Sequence, residues 1–276
     1  MKDLGIVGYP IGYSMSPRMQ NAALKALRLD YTYIAMAVKP EDVKTIVIDL
    51  KAMKFRGFNV TIPHKIAIMN YLDEIDQSAK VIGAVNTVVN DNGRMIGYNT
   101  DYLGFVAPLK EMNFSMKEKN AVVLGAGGAA RAVLWGLISE KVSNITVVGR
   151  NVEKLNILRD QFKEYFEIEI IEWNDNKYAE RSKTADIIVN ATPLGMYPKI
   201  DACPPIDWTC VNKNALVYDL IYNPKCTKFL ELAEQNGNRI LNGESMLVEQ
   251  GAAAFKMWTS YDAPIQVMHH ALIDVK

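Results

Sequence analysis

The spacing of hydrophobic and polar positions divides the first part of the chain into short strands and amphipathic helices. In GFNVTI, residues 57–62, apolar and polar side chains alternate, which is the period of a half-buried strand. Pro63 then ends the strand, because proline has no N–H to donate to a neighbouring strand. Further strands are predicted in LGIVG and at residues 31–38, with a hairpin over 84–101 around Asp91-Asn92-Gly93. Helices are predicted from Ser16, which would be the N-cap, and over residues 40–53, 66–72, 77–82 and 102–112.

Beyond residue 119 the pattern changes to a regular alternation of buried strands and helices. Apolar runs rich in β-branched residues predict five strands, in the segments NAVVLG, NITVVG, IEIIEW, ADIIVNA and ALVYDLI. Helical segments separate several of these strands, and such alternation predicts a parallel sheet with helices on both faces. The C-terminal part is predicted to be two helices with no further strand. The fold class is therefore α/β.

Composition favours a small ligand over a polymer or a membrane. Of the 276 residues, 49% are hydrophobic and 22% are charged, and Lys plus Arg and Asp plus Glu both total 31. A net charge of zero argues against nucleic-acid or membrane-surface binding driven by bulk charge. The three cysteines form no C-x-x-C pair, so neither a disulfide scaffold nor a metal site is expected. We expect a cytoplasmic protein whose thiols are reduced. The N-terminus shows no signal-peptide pattern.

A glycine-rich turn follows the first strand of the regular alternation. In VVLGAGGAARA, Gly125-x-Gly127-Gly128-x-Ala130 fits the G-x-G-x-x-G/A dinucleotide fingerprint. Glycines let the backbone approach a pyrophosphate, and the following helix N-terminus offers free N–H groups and a positive dipole end. A similar turn also arises from tight strand–helix packing alone, and flavin sites share it. The strand–turn–helix context favours a dinucleotide site.

The end of the next strand bears on which nicotinamide cofactor binds. An NAD site usually places Asp or Glu there for the ribose 2′-hydroxyl. This chain has Gly149-Arg150-Asn151 instead, with Lys154 one helical turn later. A guanidinium suits a 2′-phosphate, so the local charge favours NADP(H), while NAD(H) stays open. The alternative is that Arg150 and Lys154 are ordinary solvated cations at a helix start.

With these residues in view, the sequence resembles the shikimate dehydrogenase family, which includes shikimate/quinate dehydrogenases. Eight blocks in family order carry the resemblance along nearly the whole chain. They are YPIGYSMSPRMQN (9–21), GFNVTIPHK (57–65), GAVNTVV (83–89), GYNTD (97–101), GAGGAARA (125–132), NATPLGM (190–196), DLIYNP (219–224) and NGESMLVEQGAAAFKMWT (242–259).

The resemblance implies that Lys65 and Asp101 are the catalytic pair. Oxidation of a secondary alcohol by hydride transfer requires a group that takes the hydroxyl proton, and the reverse reaction returns that proton. A lysine held beside a carboxylate can do this, and we expect the two groups to share protons as a coupled pair. Taken singly, Lys65 is also consistent with a surface cation and Asp101 with a helix N-cap. His64 is assigned packing or capping rather than chemistry.

The remaining site residues also follow from the resemblance. It assigns polar groups suited to a polyhydroxylated ring acid to substrate binding: Ser14, Ser16, Thr61, Asn86, Tyr222 and Gln250. Ser16 could instead cap a helix and Asn86 serve a turn. The residues expected to bind the cofactor fall into three groups. The glycine-rich fingerprint contributes Gly125, Ala126, Gly127, Gly128 and Ala129, the ribose end Arg150, Asn151 and Lys154, and the nicotinamide end Leu220 and Gly243. No metal is expected.

These assignments predict a two-domain enzyme. Residues 1–101 and 241–276 would form the substrate domain and residues 102–240 an NADP-binding Rossmann domain, with the active site in the cleft between them. The implied activity is the reversible NADPH-dependent reduction of 3-dehydroshikimate to shikimate, in the aromatic amino-acid (chorismate) pathway. An NAD-dependent quinate/shikimate dehydrogenase and a non-catalytic metabolite-binding regulator are the alternatives, and monomer or homodimer is left open. The chain departs from the family pattern at Tyr13, Gln20, Tyr102 and Gly149, which bears on substrate preference and cofactor detail.

Overall fold

A computed structural model of the protein describes residues 2–273. Met1 and residues 274–276, which belong to the predicted substrate domain, lie outside the described residues. The strands are β1 (Lys2–Gly8), β2 (Tyr31–Ala37), β3 (Gly57–Val60), β4 (Glu74–Ile75), β5 (Thr87–Asp91), β6 (Arg94–Tyr98), β7 (Asn120–Leu124), β8 (Asn144–Gly149), β9 (Ile168–Glu172), β10 (Ile187–Asn190), β11 (Leu216–Asp219) and β12 (Arg239–Leu241). The helices are α1 (Ser16–Ala26), α2 (Val43–Ala52), α3 (Gln77–Ile82), α4 (Asp101–Glu111), α5 (Gly128–Ser139), α6 (Val152–Phe162), α7 (Lys177–Thr184), α8 (Lys228–Gln235), α9 (Glu244–Thr259) and α10 (Ile265–Ile273). They form two compact units, the first up to Gly104 and again from Leu247, the second from Phe105 to Met246.

The first unit is built on a mixed six-stranded sheet. Its strand order is β2-β1-β3-β5-β6-β4, and β1 runs parallel to both of its neighbours. The predicted hairpin forms β5 and β6, which pair antiparallel through a turn whose Asn92 and Gly93 both have positive φ. That backbone conformation is the one a two-residue hairpin turn requires, and Asn-Gly adopts it at low cost. Hydrophobic residues cover both faces of the sheet, since Ile6 packs in a cluster with Phe255 and Trp258 while the adjacent Val7 packs with Val47.

The second unit is a parallel six-stranded sheet. The order β9-β8-β7-β10-β11-β12 is that of a doubly wound Rossmann fold, with the reversal of strand order between β7 and β10. All four residues of β10 and of β11 are buried, as expected for strands with helices on both faces. The predicted α/β fold class and the five predicted strands of this unit are confirmed.

One local prediction was wrong, and two others were right only in part. Ser16 is not the N-cap of α1; it is the first helical residue, because the Met15 carbonyl already accepts the N–H of Met19. The predicted helix at 66–72 is a short 3-10 helix over Ala67–Tyr71. The predicted helix at 40–53 is divided, with a 3-10 turn at Pro40–Asp42 before α2.

Three features considered in the sequence are the cysteines, membrane-spanning helices and metal sites. Cys203, Cys210 and Cys226 are all free thiols. Residues 2–273 contain no helix with the length and apolar character needed to cross a membrane. Within the same residues no group of three or more His, Cys, Asp or Glu side chains is arranged to hold a metal ion.

Candidate active site

The candidate catalytic residues lie where the strand order of the first sheet reverses. The chain passes from β1 through α1 to β2 on one side, then through α2 to β3 on the other side of β1. In open α/β sheets the carboxyl ends of the strands at such a reversal are the usual ligand site. The segments after β1 and β3 pack tightly there: a Cβ atom at Gly8 would lie 2.4 Å from Cγ2 of Thr61. This position therefore requires glycine.

Backbone hydrogen bonds of Lys65 and of the turn before it fix the position of this residue. The N–H of Thr61 bonds the carbonyl of Val7 at 2.9 Å, and the N–H of His64 bonds the carbonyl of Thr61 at 2.9 Å. The imidazole of His64 is buried, with Nε2 2.7 Å from the Val38 carbonyl oxygen. The carbonyl of Lys65 accepts the N–H of Val85 at 2.8 Å. These bonds fix the direction in which the Lys65 side chain leaves the sheet.

Lys65 and Asp101 form a close ion pair. Nζ of Lys65 lies 2.5 Å from Oδ2 of Asp101, and the two side chains are only 17% and 9% exposed. Asp101 is the first residue of α4, and its own N–H is accepted by the side chain of Asn99 at 3.0 Å. The Asp101 carboxylate therefore faces Lys65 instead of capping the helix.

Asn86 joins this pair to Gln250. Its Oδ1 accepts the Thr100 N–H at 2.7 Å and the Thr87 hydroxyl at 3.0 Å, which fixes the orientation of the amide. Its Nδ2 therefore faces acceptors, lying 2.8 Å from Oδ1 of Asp101 and 3.3 Å from Oε1 of Gln250. The structure thus brings four predicted site residues into one hydrogen-bonded group: Lys65, Asp101, Asn86 and Gln250.

Three buried polar residues that the sequence analysis missed, Tyr33, Asn59 and Thr87, form a hydrogen-bonded chain that ends at Asn86. The Tyr33 hydroxyl donates to Oδ1 of Asn59 at 2.7 Å, and Nδ2 of Asn59 donates to Oγ1 of Thr87 at 3.0 Å. Burial raises the pKa of Tyr33 well above its usual value, so its hydroxyl stays protonated and donates. Asn59 is 4% exposed although it occupies a polar position of the alternating strand. A buried amide must find partners, and this one orients Thr87, which orients Asn86.

The predicted carboxylate-binding serines lie on the segment between β1 and α1. Ser14 is half-buried and its Oγ accepts the N–H of Ser16 at 3.3 Å, while its own N–H bonds the carbonyl of Ile11 at 3.0 Å. Ser16 is buried, but its side chain does not cap α1. Thr61 begins the turn that leads to Lys65. Because β1 and β3 are parallel neighbours, both segments lie at the same edge of the sheet.

The glycine-rich loop of the second unit lies at the reversal between β7 and β10. Gly125 has φ +105°, and a Cβ there would lie 2.9 Å from Cγ2 of Thr192, so the turn requires glycine. At Gly127 an added Cβ would meet nothing within 4 Å. The protein therefore leaves open space where the fingerprint brings a pyrophosphate against the backbone. Gly128 begins α5, whose first-turn N–H groups lack intrahelical partners, with Ala126 and Ala129 on either side of it partly exposed.

The residues that the sequence analysis predicts for the ribose end of the cofactor lie at the start of α6. Arg150 directly follows β8 and is exposed, as are Asn151 and Lys154. Asn151 is the N-cap, its Oδ1 accepting the N–H of Lys154 at 2.9 Å, which leaves its Nδ2 as a donor. The strand end therefore carries Arg150 and no carboxylate, while the first turn of α6 contains both Glu153 and Lys154. An exposed cation beside a helix N-terminus suits a phosphate.

The segments after β11 and β12 form a second close approach in this unit. The N–H of Gly243 bonds the carbonyl of Ile221 at 3.1 Å. A Cβ at Gly243 would lie 2.0 Å from the carbonyl oxygen of Leu220, so only glycine fits. Leu220 is fixed further by its N–H, which bonds the carbonyl of Asn190 at 3.1 Å. The structure thus holds Leu220, Tyr222 and Gly243 on two adjoining segments.

Family models describe most of the chain. Residues 6–88 match the shikimate dehydrogenase substrate binding domain. Residues 108–195 match the family shikimate / quinate 5-dehydrogenase, and residues 243–273 match the shikimate 5′-dehydrogenase C-terminal domain.

Full-length relatives agree with these matches. A protein of Methanococcus maripaludis named shikimate dehydrogenase (NADP+) is 46% identical over 274 residues, covering 98% of this chain and 96% of the relative. A crystal structure of a shikimate dehydrogenase in complex with NADP+ superposes with a TM-score of 0.93 at 43% identity, covering 99% and 95% of the two chains. The Listeria monocytogenes shikimate 5-dehydrogenase in complex with shikimate and NAD has a TM-score of 0.93 at 32% identity, covering 99% and 96%. The chain belongs to the shikimate dehydrogenase family.

Proposed function

We propose that this protein is a shikimate dehydrogenase that interconverts 3-dehydroshikimate and shikimate with NADP(H), in the cytoplasm. The observation that carries the proposal is the Lys65–Asp101 pair, 2.5 Å apart at the carboxyl edge of the first sheet and hydrogen-bonded through Asn86 to Gln250. A single partly buried cation–carboxylate pair among neutral polar groups suits proton transfer to one oxygen of a ligand. Family membership supplies the substrate class.

Lys65 and Asp101 manage the proton of the reacting hydroxyl group. Reduction of the ketone adds a hydride to the ring carbon and a proton to the carbonyl oxygen; the pair gives that proton, and it takes the proton back in the oxidation. Asp101 keeps Nζ of Lys65 oriented, while Asn86 occupies the other carboxylate oxygen. The proton belongs to the coupled pair rather than to one residue. When bound, the nicotinamide would donate the hydride in the reduction of the ketone and accept it in the oxidation of the alcohol.

Neutral polar side chains bind the rest of the substrate in this proposal. Ser14 and Ser16 face the carboxylate, and Thr61, Asn86 and Gln250 serve the carboxylate and hydroxyls from the same edge of the sheet. Hydroxyl and amide groups orient a polyhydroxylated ring without adding charge. Tyr222 is assigned to the substrate by the family resemblance.

The second unit fits NADP. The open space at Gly127 and the N-terminal turn of α5 would hold the pyrophosphate. Arg150, Lys154 and the free amide donors of Asn151 would hold the 2′-phosphate. Leu220 and Gly243 are proposed for the nicotinamide end.

A rate matrix tests the function and separates its rivals. The purified chain is assayed with shikimate and with quinate, each with NADP+ and with NAD+, by the absorbance of the reduced nicotinamide. We expect the highest kcat/KM for shikimate with NADP+. A preference for quinate or NAD+ would favour the NAD-dependent quinate/shikimate alternative. Binding of shikimate and NADP+ by calorimetry without turnover would instead indicate a regulator.

A further inference from the structure

Asp219 is a buried carboxylate that lies outside the catalytic group described above. It is the last residue of β11 and has no exposed surface. Its Oδ1 accepts the N–H of Ile221 at 3.0 Å and Nδ2 of Asn190 at 3.1 Å, and its Oδ2 accepts the hydroxyl of Thr227 at 2.6 Å. The three donors come from three different segments of the chain.

Each partner of Asp219 organises a segment of its own. Asn190, at the end of β10, accepts the N–H and hydroxyl of Thr192 on its Oδ1, at 3.0 and 2.6 Å. Thr192 in turn packs against the position of Gly125, the first glycine of the fingerprint. Thr227 is the N-cap of α8, its hydroxyl accepting the N–H of Leu230 at 3.3 Å. Asp219 therefore connects the strand-order reversal to the start of α8.

The third partner leads to the proposed nicotinamide contacts. Ile221 is held by its N–H to Asp219 and by its carbonyl to the N–H of Gly243 at 3.1 Å. Leu220 lies directly between Asp219 and Ile221, with its carbonyl against Gly243. Residues 220–222 are therefore fixed by backbone bonds to Asn190 and Gly243 and, at Ile221, by a side-chain acceptor, Oδ1 of Asp219.

We propose that Asp219 is a positioning residue of the cofactor site, whose ionised carboxylate fixes residues 220–222 for the nicotinamide end by accepting three hydrogen bonds at once. The inference rests on the proposed NADP-dependent function. A carboxylate offers acceptors on both oxygens and strengthens each bond by its charge, whereas a neutral amide or carboxylic acid offers one acceptor oxygen and one donor.

The charge of Asp219 changes near the physiological range. Burial raises its pKa to about 6, and the hydrogen bonds from Thr227, Ile221 and Asn190 lower it only in part. The thiols of Cys203 and Cys226 interact with it, and burial raises the pKa of both, that of Cys203 to about 11. The phenols of Tyr178 and Tyr218 also have pKa values raised by burial. These four groups therefore stay neutral where Asp219 titrates.

Three charged residues of α8 interact with the thiols of Cys203 and Cys226. Lys228 interacts with Cys203 and is ion-paired with Glu231 at 3.0 Å, and Glu231 and Glu234 interact with Cys226. None of these three is among the groups that shift the pKa of Asp219. Protonation of Asp219 near pH 6 would therefore be felt through its own three hydrogen bonds.

The test compares the dissociation constant of NADP+ in wild type and Asp219→Asn, measured by calorimetry from pH 5 to 7.5. Asparagine mimics the protonated side chain, keeping one acceptor oxygen. We expect Kd of the variant to exceed that of wild type about three- to tenfold at pH 7.5, the difference between charged and neutral hydrogen bonds. The ratio should fall through pH 6 and approach one toward pH 5, where Asp219 of wild type is mostly protonated. Titration of the 2′-phosphate near the same pH cancels in the ratio.

Two controls isolate the nicotinamide end. Adenosine 2′,5′-bisphosphate, which lacks that end, should bind both proteins equally at every pH. Asp186→Asn should leave NADP+ binding unchanged, because Asp186 precedes β10 at the opposite edge of the sheet and pairs with Lys119 at 3.1 Å. An equal loss for the bisphosphate would show a general structural effect and overturn the inference.

A second variant keeps the carboxylate. Thr227→Val removes one donor, and hydrogen bonds to the ionised form favour it, so the pH midpoint of NADP+ affinity should move upward. A pH-independent ratio for Asp219→Asn together with an unmoved midpoint for Thr227→Val would overturn the inference while the dehydrogenase survives. If wild type binds no NADP+ at any pH, the proposed function fails and this inference fails with it.

Discussion

Asn86 and Lys65 hold opposite oxygens of the Asp101 carboxylate: Nδ2 of Asn86 lies 2.8 Å from Oδ1, and Nζ of Lys65 lies 2.5 Å from Oδ2. The family resemblance assigns Asn86 to the substrate, yet in the structure it also orients the carboxylate of the proposed catalytic pair. A residue in both positions should affect the chemical step as well as substrate binding.

Asn86→Ala should therefore lower kcat and raise KM for shikimate. A hydrogen bond to a charged group contributes about 1.5–3 kcal/mol, so we expect kcat to fall by about ten- to a hundredfold. Steady-state kinetics with saturating NADP+ measure the split. An increase in KM with kcat unchanged would mean that Asn86 contacts only the substrate, since loss of uniform binding leaves kcat intact.

Lys65→Ala should lower kcat by about 10²–10⁴, the usual contribution of a positioned acid–base group. NADP+ affinity should be nearly unchanged, because we propose that Lys65 contacts the substrate and not the cofactor. Single-turnover rates and calorimetry measure the two effects separately. A variant that keeps most of its kcat would move the proton-transfer role elsewhere, with Asp101 the first candidate.

The buried hydrogen bonds between Thr87, Asn59 and Asn86 allow the orientation of Asn86 to be tested without changing a proposed ligand contact. Thr87→Val keeps the shape of the side chain but removes the bonds to Asn86 and Asn59. An unsatisfied buried polar group costs about 1–3 kcal/mol of stability, and kcat should fall as the amide of Asn86 loses its orientation. Thr87→Ser should restore both values, because it returns the hydroxyl. A Thr87→Val enzyme with wild-type kcat would limit the network to a stability role.

The fold could be predicted from sequence wherever one physical signal dominates. Five strands of the second unit, β7 to β11, lie in segments rich in β-branched apolar residues, and the sequence predicts all five. β4 and β12 have two and three residues, too few for a periodic signal. Ser16 looked like an N-cap because Ser-Pro is a common helix start, but the Met15 carbonyl begins the helix one position earlier.

The proposed catalytic pair and the residues that support the candidate sites differ in how visible they are in the sequence. The family resemblance assigns a role to Lys65 and Asp101 and assigns none to Asn59 or Asp219. Asn59 occupies a polar position of an alternating strand, which predicts a solvent-facing side chain, and only tertiary packing buries it. Asp219 ends an apolar strand, and its three partners are up to 29 residues away along the chain. Polar networks of this kind depend on contacts that periodicity does not contain.

We predict that the choice between NADP+ and NAD+ depends on Arg150. It is exposed directly after β8, beside the helix start capped by Asn151. A charge-assisted contact to a 2′-phosphate contributes about 1.5–3 kcal/mol, so Arg150→Ala should weaken NADP+ by one to two decades and leave NAD+ binding almost unchanged. The loss should shrink at high salt, because screening already weakens the wild-type contact. Calorimetry with both cofactors at two salt concentrations provides the comparison. Equal losses for NADP+ and NAD+ would overturn the assignment of the 2′-phosphate site.

Asp219 also makes a prediction about stability. Folding raises its pKa from 3.8 to about 6, so between these values the folded state binds more protons than the unfolded state. Stability therefore falls as pH rises through this window, and above it the ionised group costs about 3 kcal/mol. Asp219→Asn carries no such charge, so its free energy of unfolding relative to wild type should increase from pH 4 to pH 7. Urea denaturation followed by circular dichroism at each pH measures the difference, in which titrations common to both proteins cancel. A variant more stable yet weaker for NADP+ at pH 7.5 would show that the buried charge is kept for binding at the expense of folding. A difference that stays constant with pH would show instead that Asp219 titrates alike in the folded and unfolded chain.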